Sequence, residues 1–232
     1  MRTMLKTMKR PEAAPFNAER LQALKKLVAK GEGATLEFKR KASYPEKIIG
    51  EMAAFANTNG GVLLVGVSDD GTIPGLKFPD EEAFAIRSAL KKFCRPAIRF
   101  KEELIPLSEN RFVLSYEIFA SDRKPHYIVH SKLNQEVFVR VADKSIKASR
   151  EVEEIIRRRQ HPKDIQFTYG EYEKMLMQHL SIHKSVTLKE FMELSNLKRY
   201  YASRKLVLLV LANVLRVVPN EKGDHYLLAF GK

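Results

Sequence analysis

Four acidic residues in the first third of the chain have the type and spacing for phosphate chemistry. Glu32 and Glu37 are five residues apart, and Asp69-Asp70 directly follows an apolar run. Carboxylates in sets of two or three can hold Mg²⁺ or Mn²⁺ and activate water against a phosphodiester. Simpler interpretations stay open: Glu37 can pair with a nearby base, Glu32 can cap a turn, and Asp69-Asp70-Gly71 can be a hairpin turn.

The spacing of apolar residues predicts the elements that position these acids. A helix over 46–56 leads into the turn 57–61, where Asn59, Gly60 and Gly61 tolerate the positive φ of a tight reversal. The apolar run 62–67 follows as a strand buried on both faces, and 72–75 is expected to pair with it as a hairpin. Asp69 then lies at the exit of the strand.

The motifs around these acids resemble the Schlafen AlbA-type domain of prokaryotic regulators. They are Glu-x-x-x-x-Glu-Phe-Lys from Glu32, Ala-Phe-Ala-Asn-Thr-x-Gly-Gly from Ala54, Val-Gly-Val-x-Asp-x-Gly from Val65, and Val-x-Val-Arg-Val from Val137. The resemblance covers roughly residues 31–150. It implies an α+β fold, a mixed sheet with flanking helices, and nucleic-acid binding.

Some relatives in that family are metal-dependent RNases. The resemblance carries their catalytic and metal-binding acids to Glu32, Glu37 and Asp69, with Asp70 as another choice for the third acid. The metal would be Mg²⁺ or Mn²⁺, the only cofactor implied. Relatives are sometimes labelled ATP-binding, but no Gly-x-x-x-x-Gly-Lys-Ser/Thr motif is present, so no ATP site is expected.

Composition favours a polyanionic partner. The 232-residue chain carries a formal net charge of +13, which indicates nucleic acid first and an anionic membrane surface second. A solvated basic face that only maintains solubility is the alternative. The content of apolar residues, 44%, is enough to build a core.

The single cysteine and the apolar runs indicate the compartment. Cys94 has no second cysteine to pair with, which excludes an intrachain disulfide and a cysteine-based zinc site. His179 and His183 lack a third ligand, so no zinc is predicted. The sequence shows no run of 18 apolar residues and no apolar leader region. We expect a cytoplasmic protein without a membrane partner.

The tail from residue 163 onward resembles a winged helix-turn-helix. Its pattern predicts three helices, the second opened by a Thr187/Glu190 capping box, and a hairpin of strands 215–218 and 226–229. The third helix, 198–211, is the recognition helix in this interpretation. Its outward residues would be Lys198, Arg199, Tyr200 and Arg204, and Lys222 would lie at the tip of the wing.

The predicted organisation begins with a basic arm over 1–16 and a helix, which together span 1–30. A Schlafen AlbA-like domain over 31–160, closed by a final strand over 136–141, and a winged-helix domain over 161–232 follow. The main functional hypothesis is a DNA-binding transcriptional regulator, and regulators of the winged-helix type often act as homodimers on paired half-sites. The phosphate contacts expected from the first domain are Lys39, Arg40, Lys41 and Arg140. Alternatives are a metal-dependent RNase acting on RNA and a protein-docking adaptor.

Overall fold

The structure, a computed structural model, describes residues 18–131, 133–160 and 168–230. The helices are α1 (Ala18–Val28), α2 (Pro45–Asn57), α3 (Pro79–Phe93), α4 (Arg150–Arg159), α5 (Glu171–Ile182), α6 (Leu188–Ser195) and α7 (Arg199–Leu211). The strands are β1 (Leu36–Lys39), β2 (Gly61–Val65), β3 (Cys94–Arg95), β4 (Phe100–Ser108), β5 (Arg111–Ile118), β6 (Tyr127–Val129), β7 (Gln135–Val141), β8 (Lys144–Lys147), β9 (Val186–Thr187), β10 (Leu215–Val218) and β11 (His225–Leu228).

A mixed four-stranded sheet in the order β1-β2-β5-β4 carries the first motif. β1 and β2 are parallel, and the crossover between them is α2, because parallel neighbours cannot be joined by a tight turn. Glu37 of β1 lies opposite Leu63 of β2. The fold class expected from the sequence, α+β with a mixed sheet and flanking helices, is confirmed.

Helix α2 is buried on nearly every side, because it lies between the first sheet and a second one. The second sheet has the order β3-β6-β7-β8 and contacts α2 through its last three strands. Asn57, at the end of α2, donates from Nδ2 to the carbonyl oxygens of His126 (3.1 Å) and Phe138 (2.9 Å). The helix therefore holds the two sheets at a fixed position.

The turn between α2 and β2 needs glycine, as the sequence predicted. Gly60 has a φ of +76°, and a Cβ added there would lie 2.7 Å from the carbonyl oxygen of Ile118. A Cβ on Gly61 would lie 2.5 Å from the ring of Phe55. Any larger residue would push the β2 strand away from α2.

Two sequence-based expectations about the strands are wrong. Residues 72–75 form no strand with β2, because both edges of β2 are already paired, with β1 and with β5. The predicted turn itself is present, with the Ser68 N–H donating to the Thr72 carbonyl at 2.9 Å. The expectation that residues 136–141 close the domain misses β8, whose single apolar residue, Ile146, gives no recognisable pattern.

The C-terminal unit is formed by α4 to α7 and β9 to β11. Its antiparallel sheet has the order β10-β11-β9, and its core is a separate apolar cluster that includes Leu176, Phe191, Leu206 and Tyr226. Helix α4 belongs to this unit, because Ile155 is buried in the same cluster and α4 packs on α7. The boundary predicted near His161 falls outside the described residues, as does the arm predicted over residues 1–16. In the part of the chain described, no helix is long and apolar enough to cross a membrane.

Candidate functional site

Glu37 is paired with two basic side chains inside the N-terminal unit. Its position on β1 buries the carboxylate, and Oε2 lies 2.7 Å from Nη2 of Arg140. Oε1 contacts the ammonium group of Lys39, two residues along the strand. Both carboxylate oxygens are therefore already engaged by positive charge.

Arg140 is the centre of a buried network that joins β7 to β1 and α2. Its side chain is 1% exposed, and its Nη1 lies 3.1 Å from Oε2 of Glu51. Nη2 and Nε donate to the carbonyl oxygen of Gly33 at 2.8 and 3.2 Å. The guanidinium also lies over the ring of Phe55, 4.9 Å from its centroid. The expectation that Arg140 contacts phosphates is corrected by this burial, since no face of the guanidinium is left for a ligand.

Glu32 accepts a hydrogen bond from the backbone of β1, and Asp70 accepts one from the backbone of its own turn. The Phe38 N–H donates to Oε1 of Glu32 at 2.8 Å. Oδ1 of Asp70 accepts from the Thr72 N–H at 2.9 Å and from the Thr72 hydroxyl at 2.7 Å, and these bonds lower the pKa of Asp70. Each residue thus stabilises a turn, the simpler role that the sequence left open.

The charge of Glu32 is nevertheless influenced by the other two acids of the predicted set. Burial raises the pKa of the Glu32 carboxyl above its ordinary value, and the negative charges of Glu37 and Asp69 act in the same direction. The Phe38 N–H and Lys39 act in the opposite direction. The acids predicted from the resemblance are therefore close enough to interact electrostatically.

The carboxylates nevertheless do not fit a Mg²⁺ or Mn²⁺ site in this arrangement. Such a cation needs several free oxygen ligands, and both carboxylate oxygens of Glu37 are already paired, one with Lys39 and one with Arg140. Among the described residues, no group of three His, Cys, Asp or Glu side chains is placed to hold a metal ion.

The raised pKa of Glu32 gives a testable pH dependence. The folded state holds this proton more tightly than the unfolded state, so stability is greatest below the ordinary pKa of 4.5 and is lost as the pH rises through the folded value. Glu32→Gln keeps an acceptor for the Phe38 N–H and removes the titration. We expect the variant to lose less stability than the parent between about pH 4 and about pH 7.

Urea unfolding at a series of pH values measures this effect. The control is Glu193→Gln, which removes the same charge from an exposed position on α6. A parent-like pH profile for Glu32→Gln would show that the Glu32 carboxyl does not titrate abnormally.

The basic residues at the end of β1 and directly after it differ in whether their charge is already paired. Lys39 is bound to Glu37, whereas Arg40 and Lys41 are exposed. Only the latter two present free charge at the end of the strand. Lys222, in the turn between β10 and β11, is also exposed.

The N-terminal end of α7 presents the residues that we call the α7 patch: Lys198, Arg199, Tyr200 and Arg204. All four are exposed, while the opposite side of the helix packs Leu206 and Val210 into the core of the C-terminal unit. Arg199 alone is partly restrained, because its Nη2 lies 3.4 Å from Oε1 of the buried Glu151. The structure thus leaves all four predicted residues exposed in the N-terminal half of α7 or directly before it.

Sequence reasoning missed Tyr201, which is exposed beside Tyr200. Helical spacing could have found it. Tyr201 is three residues from Arg204 and four from Lys205, which places it on the charged side of α7. Other singled-out residues form no site: the rings of His179 and His183 stack at 4.3 Å with no further ligand among the described residues, and Cys94 is buried.

Comparison with solved structures gives low overall similarity. The solution structure of the N-terminal domain of a RecG-related protein from Nitrosomonas europaea is 24% identical, with a TM-score of 0.40, over 55% of this chain and 92% of that one. The crystal structure of the DIP2311 protein from Corynebacterium diphtheriae is 18% identical, with a TM-score of 0.42, over 91% of this chain. This chain spans only 43% of the length of the DIP2311 protein.

Comparison with the curated proteins gives no match. The family model described as Schlafen, AlbA_2 matches residues 32–149, which is just over half of the 232 residues. The matched segment runs from Glu32, through the glycine turn and both sheets, to the residue before α4. The chain therefore belongs to the Schlafen AlbA_2 family.

Proposed function

We propose that this protein is a DNA-binding regulator whose C-terminal unit contacts DNA as a winged helix-turn-helix. Family membership indicates nucleic-acid binding in the coarser sense. The finer proposal depends chiefly on one observation: the α7 patch gathers three cations and an aromatic ring at the exposed end of a helix that is otherwise buried.

The order of elements in the C-terminal unit supports the proposal. A helix, a short strand, two helices and a hairpin follow one another as α5, β9, α6, α7 and β10-β11. In a winged helix-turn-helix the third helix enters the major groove and the hairpin lies beside it. α7 and the turn that carries Lys222 occupy these two positions in the chain.

The charges support phosphate contact. Lys198 and Arg204 have no carboxylate partner within the described ranges, so a phosphate would meet them without first displacing an ion pair. Arg199 would have to exchange its contact with Glu151, which is long for an ion pair at 3.4 Å. The net charge of +13 adds long-range attraction for a polyanion.

The test compares two double variants with equal charge. Lys198→Ala/Arg204→Ala is expected to lower affinity for a blunt DNA duplex about tenfold or more at low salt and to reduce the salt slope by roughly 2, since each phosphate contact contributes about 0.9. Lys91→Ala/Lys92→Ala, at exposed positions on α3, is the control and is expected to change neither value appreciably. Fluorescence anisotropy of a labelled duplex measures both.

Three results would contradict the proposal. Equal losses in the two double variants would mean that the protein binds by net charge alone, without an α7 surface. Cleavage of RNA that requires Mn²⁺ and disappears in Glu32→Gln would instead establish the RNase that the geometry of Glu37 disfavours. If this protein captured a protein partner and showed no affinity for DNA, the docking adaptor would be favoured.

A further inference from the structure

Tyr200 and Tyr201 form a pair of exposed aromatic rings at the start of α7. Tyr200 is 66% exposed and Tyr201 is 55% exposed. The ring centroids are 5.3 Å apart, and the ring planes are tilted by 79°. Neither ring contributes to the apolar cluster of the C-terminal unit. Folding therefore leaves most of both ring faces available to a ligand.

The surroundings of the pair are cationic. Arg204 is four residues after Tyr200 and three after Tyr201, which puts all three side chains on one side of the helix. Lys205 follows Tyr201 by four residues, but its ammonium group is paired with the buried Glu173 at 2.5 Å, so Lys198 and Arg204 supply the free positive charge. Helix α7 contains no Asp or Glu from Arg199 to Leu211. A ligand of this surface should therefore combine flat rings with negative charge.

The tilt of the two rings selects among nucleic acids. Base pairs in a duplex are stacked on one another, so their faces are closed to side chains that approach along the groove. Two bases stacked on rings that are nearly perpendicular could not remain stacked on each other. A single strand accepts such splaying, because its bases unstack easily and each presents a π-face.

We infer that Tyr200 and Tyr201 are a stacking platform for unpaired bases, with Arg204 and Lys198 on the adjoining phosphates. The ligand is a single-stranded nucleic acid, or the single-stranded segment that adjoins a duplex. This inference rests on the proposed function, since it takes the α7 patch to face the nucleic acid. It extends that function from duplex phosphates to exposed bases.

The experiment uses the full chain and oligonucleotides that carry 2-aminopurine, whose fluorescence falls when the base stacks on an aromatic ring. Three arms of the experiment use different ligands: single-stranded DNA, single-stranded RNA and a blunt DNA duplex. We expect binding of a single strand to quench the probe, and Tyr200→Ala/Tyr201→Ala to weaken that binding about 10- to 100-fold. The same variant should weaken duplex binding less than single-strand binding, because the phosphate contacts of Lys198 and Arg204 remain. The DNA and RNA arms identify which strand is preferred.

Two variants serve as controls. Tyr200→Phe/Tyr201→Phe keeps the rings and should bind single strands within about threefold of the parent. Tyr44→Ala removes a tyrosine that is 70% exposed in the N-terminal unit and should have no effect. Urea unfolding checks that every variant is folded.

Several outcomes would overturn the inference. Equal losses in the Phe and Ala variants would mean that the hydroxyl groups, and not the rings, make the contact. Unchanged single-strand affinity in the Ala variant, or self-association of the parent that the Ala variant abolishes, would mean that the pair does not bind bases. If only the inference fails, Lys198→Ala/Arg204→Ala still weakens duplex binding more than the Lys91→Ala/Lys92→Ala control does. If the proposed function fails, the two double variants bind the duplex equally, or the parent does not bind it at all.

Discussion

Arg140→Met is expected to reduce the free energy of unfolding by about 3–5 kcal/mol, because it leaves Glu37 and Glu51 without their shared buried partner. Methionine keeps the apolar stem of arginine, so the change removes chiefly the guanidinium, which also lies over the ring of Phe55. The loss therefore comes from uncompensated carboxylates and from the orphaned carbonyl oxygen of Gly33. Urea unfolding followed by circular dichroism measures it.

A matched control is available on the neighbouring strand. Lys147 is an exposed base paired with Glu136, and Lys147→Met should change stability by no more than about 1 kcal/mol. Glu37→Gln/Glu51→Gln added to Arg140→Met should recover part of the loss, because the amides carry no charge. An Arg140→Met variant as stable as Lys147→Met would show that the network does not hold the unit together.

Cys94 is expected to resist alkylation in the folded protein. Burial raises the pKa of its thiol to about 12, and the side chain is enclosed at the end of α3. At about pH 8 the thiolate fraction of such a group is lower than that of a free thiol by roughly a thousandfold, and the thiolate is the reactive form. Iodoacetamide should therefore label the folded protein about a thousandfold more slowly than the unfolded chain.

Because Cys94 is the only cysteine, intact-mass spectrometry reports on this residue without ambiguity. Labelling in a high concentration of urea provides the unfolded reference rate. A folded protein that is labelled at a similar rate would show that α3 opens readily or that the thiol is exposed.

Local sequence patterns predicted the elements that build the N-terminal unit. Helix α2 and strand β2 follow from apolar spacing, and the intervening turn follows from Gly60 and Gly61, because each signal is carried by adjacent residues. The ordered motifs gave the family correctly. The same local reasoning gave a false hairpin at 72–75, since it could not show that β5 already occupies the second edge of β2.

The candidate site was less predictable, because its main contacts are long-range. Glu37 on β1 pairs with Arg140 on β7, although the two residues are far apart in the sequence. No spacing in the sequence indicates that one neutralises the other. Arg140 therefore looked like a phosphate-binding base in a Val-Arg-Val strand. The exposed residues of α7 were more accessible to prediction, because their environment depends on helical periodicity, and Tyr201 could have been included on that basis.

The most direct test of the central claim is the salt dependence of DNA binding by the full chain. Affinity for a labelled duplex should be measured from about 50 to about 200 mM salt, where counterion release makes log K fall linearly with log[salt]. A surface that uses Lys198, Arg204 and Lys222 predicts a slope near −3, at about −0.9 per phosphate contact. Affinity that does not change over this range would contradict nucleic-acid binding through these phosphate contacts.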